Sequence, residues 1–97
     1  MPKDPDILMT LEFRGRKFSI TYRDLGKTVN EYNINGECYD TDESIDISKS
    51  LKGKLRLDTE IHEALHACFP MIDERIVNTS ATDITRFLWK LGYRLKA

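Results

Sequence analysis

The chain has 97 residues, of which 40% are hydrophobic and 32% are charged, and its formal net charge is -1. This length predicts a single domain, residues 1–97, with a modest core. Because the charges nearly cancel and no long basic run occurs, neither nucleic acid nor a membrane surface is predicted as a partner. Residues 1–6 lack the apolar core of a signal peptide and no apolar run could span a membrane, so we expect a cytoplasmic protein with a flexible leader.

Two N-terminal strands are predicted from alternating side chains. Apolar residues fill every second position of 9–13 and again of 18–22, on either side of Arg14-Gly15-Arg16. A strand places successive side chains on opposite faces, so this alternation predicts a hairpin with one buried face. The predicted buried set is Met9, Leu11, Phe13, Phe18, Ile20 and Tyr22.

A second turn and a further strand are predicted before the first helix. Asn35-Gly36 is a typical hairpin turn, and it predicts a weaker hairpin with Tyr32 and Ile34 before the turn. The acidic segment 40–44 begins like a calcium-binding loop, but it lacks the glycine and the glutamate of an EF-hand, so we interpret it as a solvated turn. Residues 44–48 alternate again and predict the last strand.

Two helices are predicted in the C-terminal half. From Leu57 onward, apolar residues recur at i, i+4, i+7, i+8 and i+11, the stripe of a helix packed on a core, and we place this helix at 54–69. Pro70 follows it. A second helix begins near Asp73-Glu74, since carboxylates favour a helix N-terminus, and Gly92 ends it. Its predicted core stripe is Val77, Ala81, Ile84, Leu88 and Leu91. This order predicts a small α+β domain, with an N-terminal antiparallel sheet followed by two helices.

Both histidines of the chain lie in His62-Glu63-Ala64-Leu65-His66, which is the H-E-x-x-H pattern on the first predicted helix. A spacing of four residues puts the imidazoles of His62 and His66 on one helix face, where both can bind one metal ion. Glu63 lies about 100° around the helix from His62, in the place of a general base. The pattern predicts a zinc-dependent peptidase in which Glu63 takes a proton from the attacking water.

A catalytic zinc ion normally has three protein ligands, so a third ligand must lie outside the motif. Glu74 precedes Val77 and Ala81 by three and seven residues, which places it on the helix face that packs toward the first helix. Glu74 is therefore the favoured third ligand. Asp83 lies about 180° around that helix from Glu74, and Asp73 would serve equally well as the helix N-cap. Both stay open as alternatives.

Cys38 and Cys68 are predicted to be reduced core cysteines rather than zinc ligands. A chain without an export signal is expected to keep its thiols reduced. Cys68 follows His66 by two residues, about 200° around the helix, so it points away from the metal face. The close pair of cysteines that is typical of a structural zinc site is missing.

Two further features could contribute to catalysis. The oxyanion needs a donor besides the metal, and Tyr93 and Arg94, just past the second helix, are the candidates. The alternative for Tyr93 is a half-buried aromatic residue that covers the core. The strand at 45–47 is a candidate edge strand with which an extended substrate could pair, although it could equally be an inner strand.

Several motifs accompany the metal motif. They are Gly36-x-Cys38, the strand 44–48, Leu57-Asp58-Thr59, Asp73-Glu74, Ala81-x-Asp83-Ile84 and Leu88-Trp89-x-Leu91-Gly92-Tyr93-Arg94. With them, residues 36–94 resemble a family of very small zinc metallopeptidases encoded by bacteriophages and prophages. More distantly, the two helices look like those of the gluzincins, including the ImmA/IrrE group, whose third ligand is a Glu at the start of such a helix. The resemblance implies a minimal zincin-like domain with Glu74 as a ligand and Glu63 as the base. We expect a monomer that acts on a peptide or protein substrate, in the host cytoplasm if it is phage-encoded.

A second class of function keeps the metal without the chemistry. The chain could be a zinc-stabilised interaction module, for instance a phage protein that binds a host factor. In so small a domain a metal can supply folding energy outright. Glu63 distinguishes the two classes, because a purely structural site has no use for a carboxylate beside an open coordination position.

Overall fold

The computed structural model describes residues 7–27 and 34–96, so the leader 1–6 and Tyr32 lie outside the described residues. The elements in chain order are β1 (Ile7–Phe13), β2 (Arg16–Arg23), β3 (Gly36–Tyr39), β4 (Ser44–Ser48), α1 (Gly53–Cys68) and α2 (Glu74–Lys90). This is a small α+β domain, as the sequence predicts. Within the described ranges, neither helix has the length and apolar character needed to cross a membrane.

The four strands form one mixed sheet in the order β1-β2-β4-β3. β1 pairs with β2 and β3 pairs with β4 in antiparallel fashion, but β2 and β4 are parallel. The prediction of an antiparallel sheet is therefore wrong. Side-chain alternation shows which face of a strand is buried and carries no information about the direction of its neighbour. Here the chain passes through β3 before β4 returns beside β2, which makes that central pair parallel.

The second hairpin consists of β3 and β4. Its turn is the acidic segment 40–43, in agreement with the interpretation of this segment as a solvated turn. Asn35-Gly36 does not form the predicted hairpin turn, because Gly36 begins β3 and pairs with Ile47. β4 lies between β2 and β3, so the strand at 45–47 is an inner strand and β3 is the edge of the sheet on this side.

The core lies between the sheet and α1. Its buried apolar residues come from β2, from β4 and from the region of α1: Phe18, Ile20, Tyr22, Ile45, Ile47, Leu51 and Ala67. Phe13 packs against them as predicted, but Met9 and Leu11 are 41% and 49% exposed. These two residues lie on β1, at the edge of the sheet, whereas α1 packs mainly over β3 and β4 at the other edge. α1 also contacts β1, but it leaves these two side chains exposed.

α2 packs on α1, which is the only element it contacts within the described residues. Its buried residues are Val77, Ala81 and Thr85, four residues apart. Val77 and Ala81 are buried as predicted, but Ile84 and Leu91 of the predicted stripe are 38% and 59% exposed. A helix with one neighbour buries only a narrow row of side chains, so the rest of the apolar face remains exposed. The predicted ends of both helices agree with the structure to within two residues.

Candidate metal centre

The buried face of α1 consists of Thr59, Glu63 and Ala67, which recur every four residues. This row faces the sheet, since Ala67 belongs to the core and the first two residues lie opposite Gly36 of β3. The apolar stripe predicted for the core is only half-buried: Leu57, Ile61, Ala64, Leu65 and Cys68. The periodicity of apolar residues could not predict this buried face, because two of its three residues are polar.

Gly36 allows β3 to approach α1 closely. A Cβ atom at this position would lie 2.8 Å from Cγ2 of Thr59 and 3.1 Å from Cγ of Glu63. Both distances are shorter than ordinary van der Waals contacts between carbon atoms, which are about 3.5–4.0 Å. The absence of a side chain at Gly36 thus places the edge strand directly beside Glu63.

The two histidines converge on one carboxylate. The ring centroids of His62 and His66 are 5.0 Å apart. Nε2 of His62 lies 2.9 Å from Oε1 of Glu74, and Nε2 of His66 lies 2.8 Å from Oε2 of the same residue. Glu74 is the first residue of α2, so the short connection after α1 carries it back over the histidine face. The structure brings together the three predicted zinc ligands.

Glu63 lies beside this group but is more deeply buried. The potential ligand atoms of His62, Glu63 and His66 lie within 4.8 Å of one another, a grouping that could hold a metal ion. Glu63 is 6% exposed, whereas the side chain of Glu74 is 59% exposed. Burial, followed by the negative charges of Glu74 and Glu37, raises the pKa of Glu63 to about 7.

The alternative third ligands are engaged elsewhere. Asp73 is the N-cap of α2, and its carboxylate accepts a hydrogen bond of 2.7 Å from the backbone N–H of Arg75. Asp83 accepts a hydrogen bond of 3.1 Å from Arg86 on the exposed surface of α2. Cys38 and Cys68 are free thiols, half-buried, and neither belongs to the His-Glu-His cluster.

A cleft of about 440 Å³ opens over His62 and Glu63, between the two helices and the start of β3. Its polar wall includes Asn78 of α2 and Asn35, which precedes β3. Sequence reasoning missed both amides. Asn78 follows Glu74 by four residues and therefore shares its helix face, so the spacing in the sequence could have predicted its position near the histidines. No local pattern could have placed Asn35, which reaches the cleft only through the pairing of β3 with β4.

The structure does not place Tyr93 in this cleft. Glu74 begins α2, which is 17 residues or about 25 Å long, and Tyr93 follows the C-terminal end of this helix. Tyr93 is 63% exposed and lines a different groove together with Arg94. The prediction of Tyr93 as an oxyanion donor is corrected, because α2 runs away from the metal centre along its whole length.

Searches of protein families, curated proteins and solved structures with this chain found no match in any of the three. The likeness to small phage zinc metallopeptidases is therefore carried by the sequence motifs alone. The function has to be inferred from the geometry of the residues themselves.

Proposed function

We propose that the protein is a zinc metallopeptidase with His62, His66 and Glu74 as zinc ligands and Glu63 as the general base. The observation that carries the proposal is the convergence of both histidine Nε2 atoms on one carboxylate from the other helix. Two imidazoles and one carboxylate form a ligand set of catalytic zinc sites, which keep a fourth position open.

The chemistry of the ligand atoms favours zinc over the hard divalent cations. Calcium and magnesium are bound in proteins mainly by oxygen atoms. Imidazole nitrogen suits zinc and other transition metals, and two of the three proposed ligands are imidazoles. His62 and His66 therefore favour zinc or another transition metal over calcium and magnesium, while Glu74 adds negative charge that offsets part of the charge of the ion.

In this proposal Glu63 moves the proton of the reaction. When bound, zinc supplies polarisation of a water molecule and of the substrate carbonyl. Glu63 accepts the proton of the attacking water and returns it to the leaving amine. Its buried position on α1, against Gly36 of β3, keeps the carboxylate next to the histidines. Asn35 and Asn78 in the wall of the cleft are amide side chains available to donate a hydrogen bond to the oxyanion.

β3 offers a binding edge for an extended peptide. Within the described residues it pairs only with β4, and Gly36 at its start contacts the side chain of Glu63. A substrate that paired with the backbone of β3 would pass the base and the histidines. Because backbone pairing does not depend on the side chains of the substrate, we expect little preference for the sequence of the substrate.

The substitution Glu63→Gln tests the proposal. An amide has almost the same shape but cannot accept the proton, so we expect zinc binding and melting temperature to be kept while peptidase activity falls by about 10² or more. Activity is followed as chelator-sensitive cleavage of unfolded casein and of a broad peptide library. Asp83→Asn is the matched control, because it removes a carboxylate from the exposed surface of α2, and it should retain activity.

A non-catalytic role of the same metal is the second candidate. It is favoured by the packing of α2, which among the described elements contacts α1 alone, so that a metal held by both helices would fix its position. Two results together would contradict the peptidase proposal and support the non-catalytic role. The wild type would show no chelator-sensitive cleavage, and chelation would lower the melting temperature of the wild type and of Glu63→Gln equally.

A further inference from the structure

A second groove lies where α1 begins and α2 ends. Its volume is about 600 Å³, larger than the 440 Å³ of the cleft over His62 and Glu63, and the two share no lining residue. Much of its wall is apolar: Leu51, Leu57, Leu88, Trp89 and Leu95. Small-molecule sites in proteins are typically mostly apolar concavities of about 300–1,000 Å³ with a few polar groups. The groove has the size and the lining of such a site.

The charged groups of the groove are mainly cationic. Lys52, Arg56 and Arg94 line it, with Glu60 as the one carboxylate among its lining residues. Glu60 is already engaged, because it accepts hydrogen bonds from the Tyr22 hydroxyl at 2.6 Å and from Nε of Arg56 at 3.1 Å. The charge of Arg56 is thus balanced by Glu60, whereas the charges of the other two cations are not balanced within the groove.

Arg94 is held in place without a carboxylate partner among the described residues. Its guanidinium donates to the carbonyl oxygens of Trp89 and Tyr93 at 3.0 and 2.8 Å, and it lies 3.6 Å from the centroid of the Trp89 ring. A planar guanidinium fixed in this way is suited to a carboxylate. Lys52, the N-cap residue of α1, also lines the groove and adds a second cation.

We propose that this groove binds a small amphipathic carboxylate. The apolar body of the ligand would lie against Leu57, Leu88 and Trp89, and its carboxylate would meet Arg94 and Lys52. The apolar wall accounts for the body of the ligand, and the unbalanced positive charge accounts for the sign of its polar end. The site is separate from the metal centre, so the inference does not depend on peptidase activity.

Decanoate and decanamide form the matched pair of probes, because they have the same apolar chain and differ in charge. Trp89 is the one tryptophan of the chain, so intrinsic fluorescence and a single indole N–H resonance report directly on the groove. Each titration is run with and without chelator, so that attraction of the carboxylate by a bound metal appears as a difference between the two. We expect decanoate to bind at least fivefold more tightly than decanamide, a difference of about 1 kcal/mol.

Arg94→Gln should reduce this preference to below twofold while leaving the affinity for decanamide nearly unchanged. Lys90→Gln is the control, since it removes the same charge from the last residue of α2, which does not line the groove, and it should keep the fivefold preference. Leu95→Ser, at an exposed apolar position, should weaken both ligands equally. The proposal is overturned if neither ligand saturates a signal from Trp89, if both bind equally to the wild type, or if Arg94→Gln and Lys90→Gln behave alike.

Discussion

Replacing Gly36 by alanine tests the contact between β3 and α1. The new Cβ would lie 2.8 Å from Cγ2 of Thr59, 3.1 Å from Cγ of Glu63 and 3.2 Å from the carbonyl oxygen of Asp46. Overpacking of this kind typically costs about 1–3 kcal/mol. Gly36 is not in the left-handed region, so the lower entropy of the unfolded chain offsets about 0.4–1 kcal/mol. We expect the free energy of unfolding to fall by about 1–2 kcal/mol.

A double-mutant cycle with Thr59→Ser identifies the contact responsible. Serine lacks Cγ2 but can keep the hydrogen bond that Oγ1 of Thr59 donates to the carbonyl of Leu55 at 3.0 Å. In the Thr59→Ser background, Gly36→Ala should therefore cost at least about 0.5 kcal/mol less than in the wild type. Urea unfolding followed by circular dichroism measures all four proteins. An unchanged or increased stability of Gly36→Ala, or strict additivity of the two substitutions, would show that β3 does not approach α1 as described.

Two further predictions concern buried titratable groups. Burial and the hydrogen bond to Glu60 raise the pKa of Tyr22 to about 12, above the ordinary value of 10.0, so its contribution to stability is complete below pH 10 and is lost as the pH rises to 12. The free energy of unfolding should thus fall more steeply over this range in the wild type than in Tyr22→Phe, and equal slopes would contradict the buried hydrogen bond. Burial, followed by the charges of Glu63 and Asp40, raises the pKa of Cys38 to about 11. In a Cys68→Ser background, iodoacetamide at pH 8 should alkylate the folded protein at least about tenfold more slowly than the protein in urea, because the thiolate is the reactive form; equal rates would refute this environment.

The convergence of His62, His66 and Glu74 could be predicted from the sequence because each position depends on local helix geometry. The four-residue spacing of His62 and His66 fixes their relation as soon as the helix is recognised. The prediction of Glu74 also required the direction of the buried face of α2. Val77 and Ala81 were sufficient to define that face. The helix lengths and ends followed from periodicity and from terminal residues in the same way.

The features that the sequence did not predict all depend on contacts between distant segments. β2 and β4 pair in parallel, and no local residue pattern predicts which strands of a sheet lie side by side. The burial of Thr59 and Glu63 depends on Gly36, which looks like a turn residue in the sequence and lies in a strand in the structure. Tyr93 was assigned to the metal centre because it follows α2, yet the helix carries it away from Glu74.

The most direct test of the central claim is a calorimetric titration of zinc into the metal-free protein, comparing the wild type with Glu74→Ala and Asp83→Asn. The account predicts one zinc ion per chain for the wild type and for Asp83→Asn. Glu74→Ala should lose at least about tenfold in affinity, because it removes the carboxylate that both histidines contact. Circular dichroism of the metal-free proteins checks that all three are folded. Binding of less than half a zinc ion per folded wild-type chain, or equal affinities of Glu74→Ala and the wild type, would contradict the proposed metal centre.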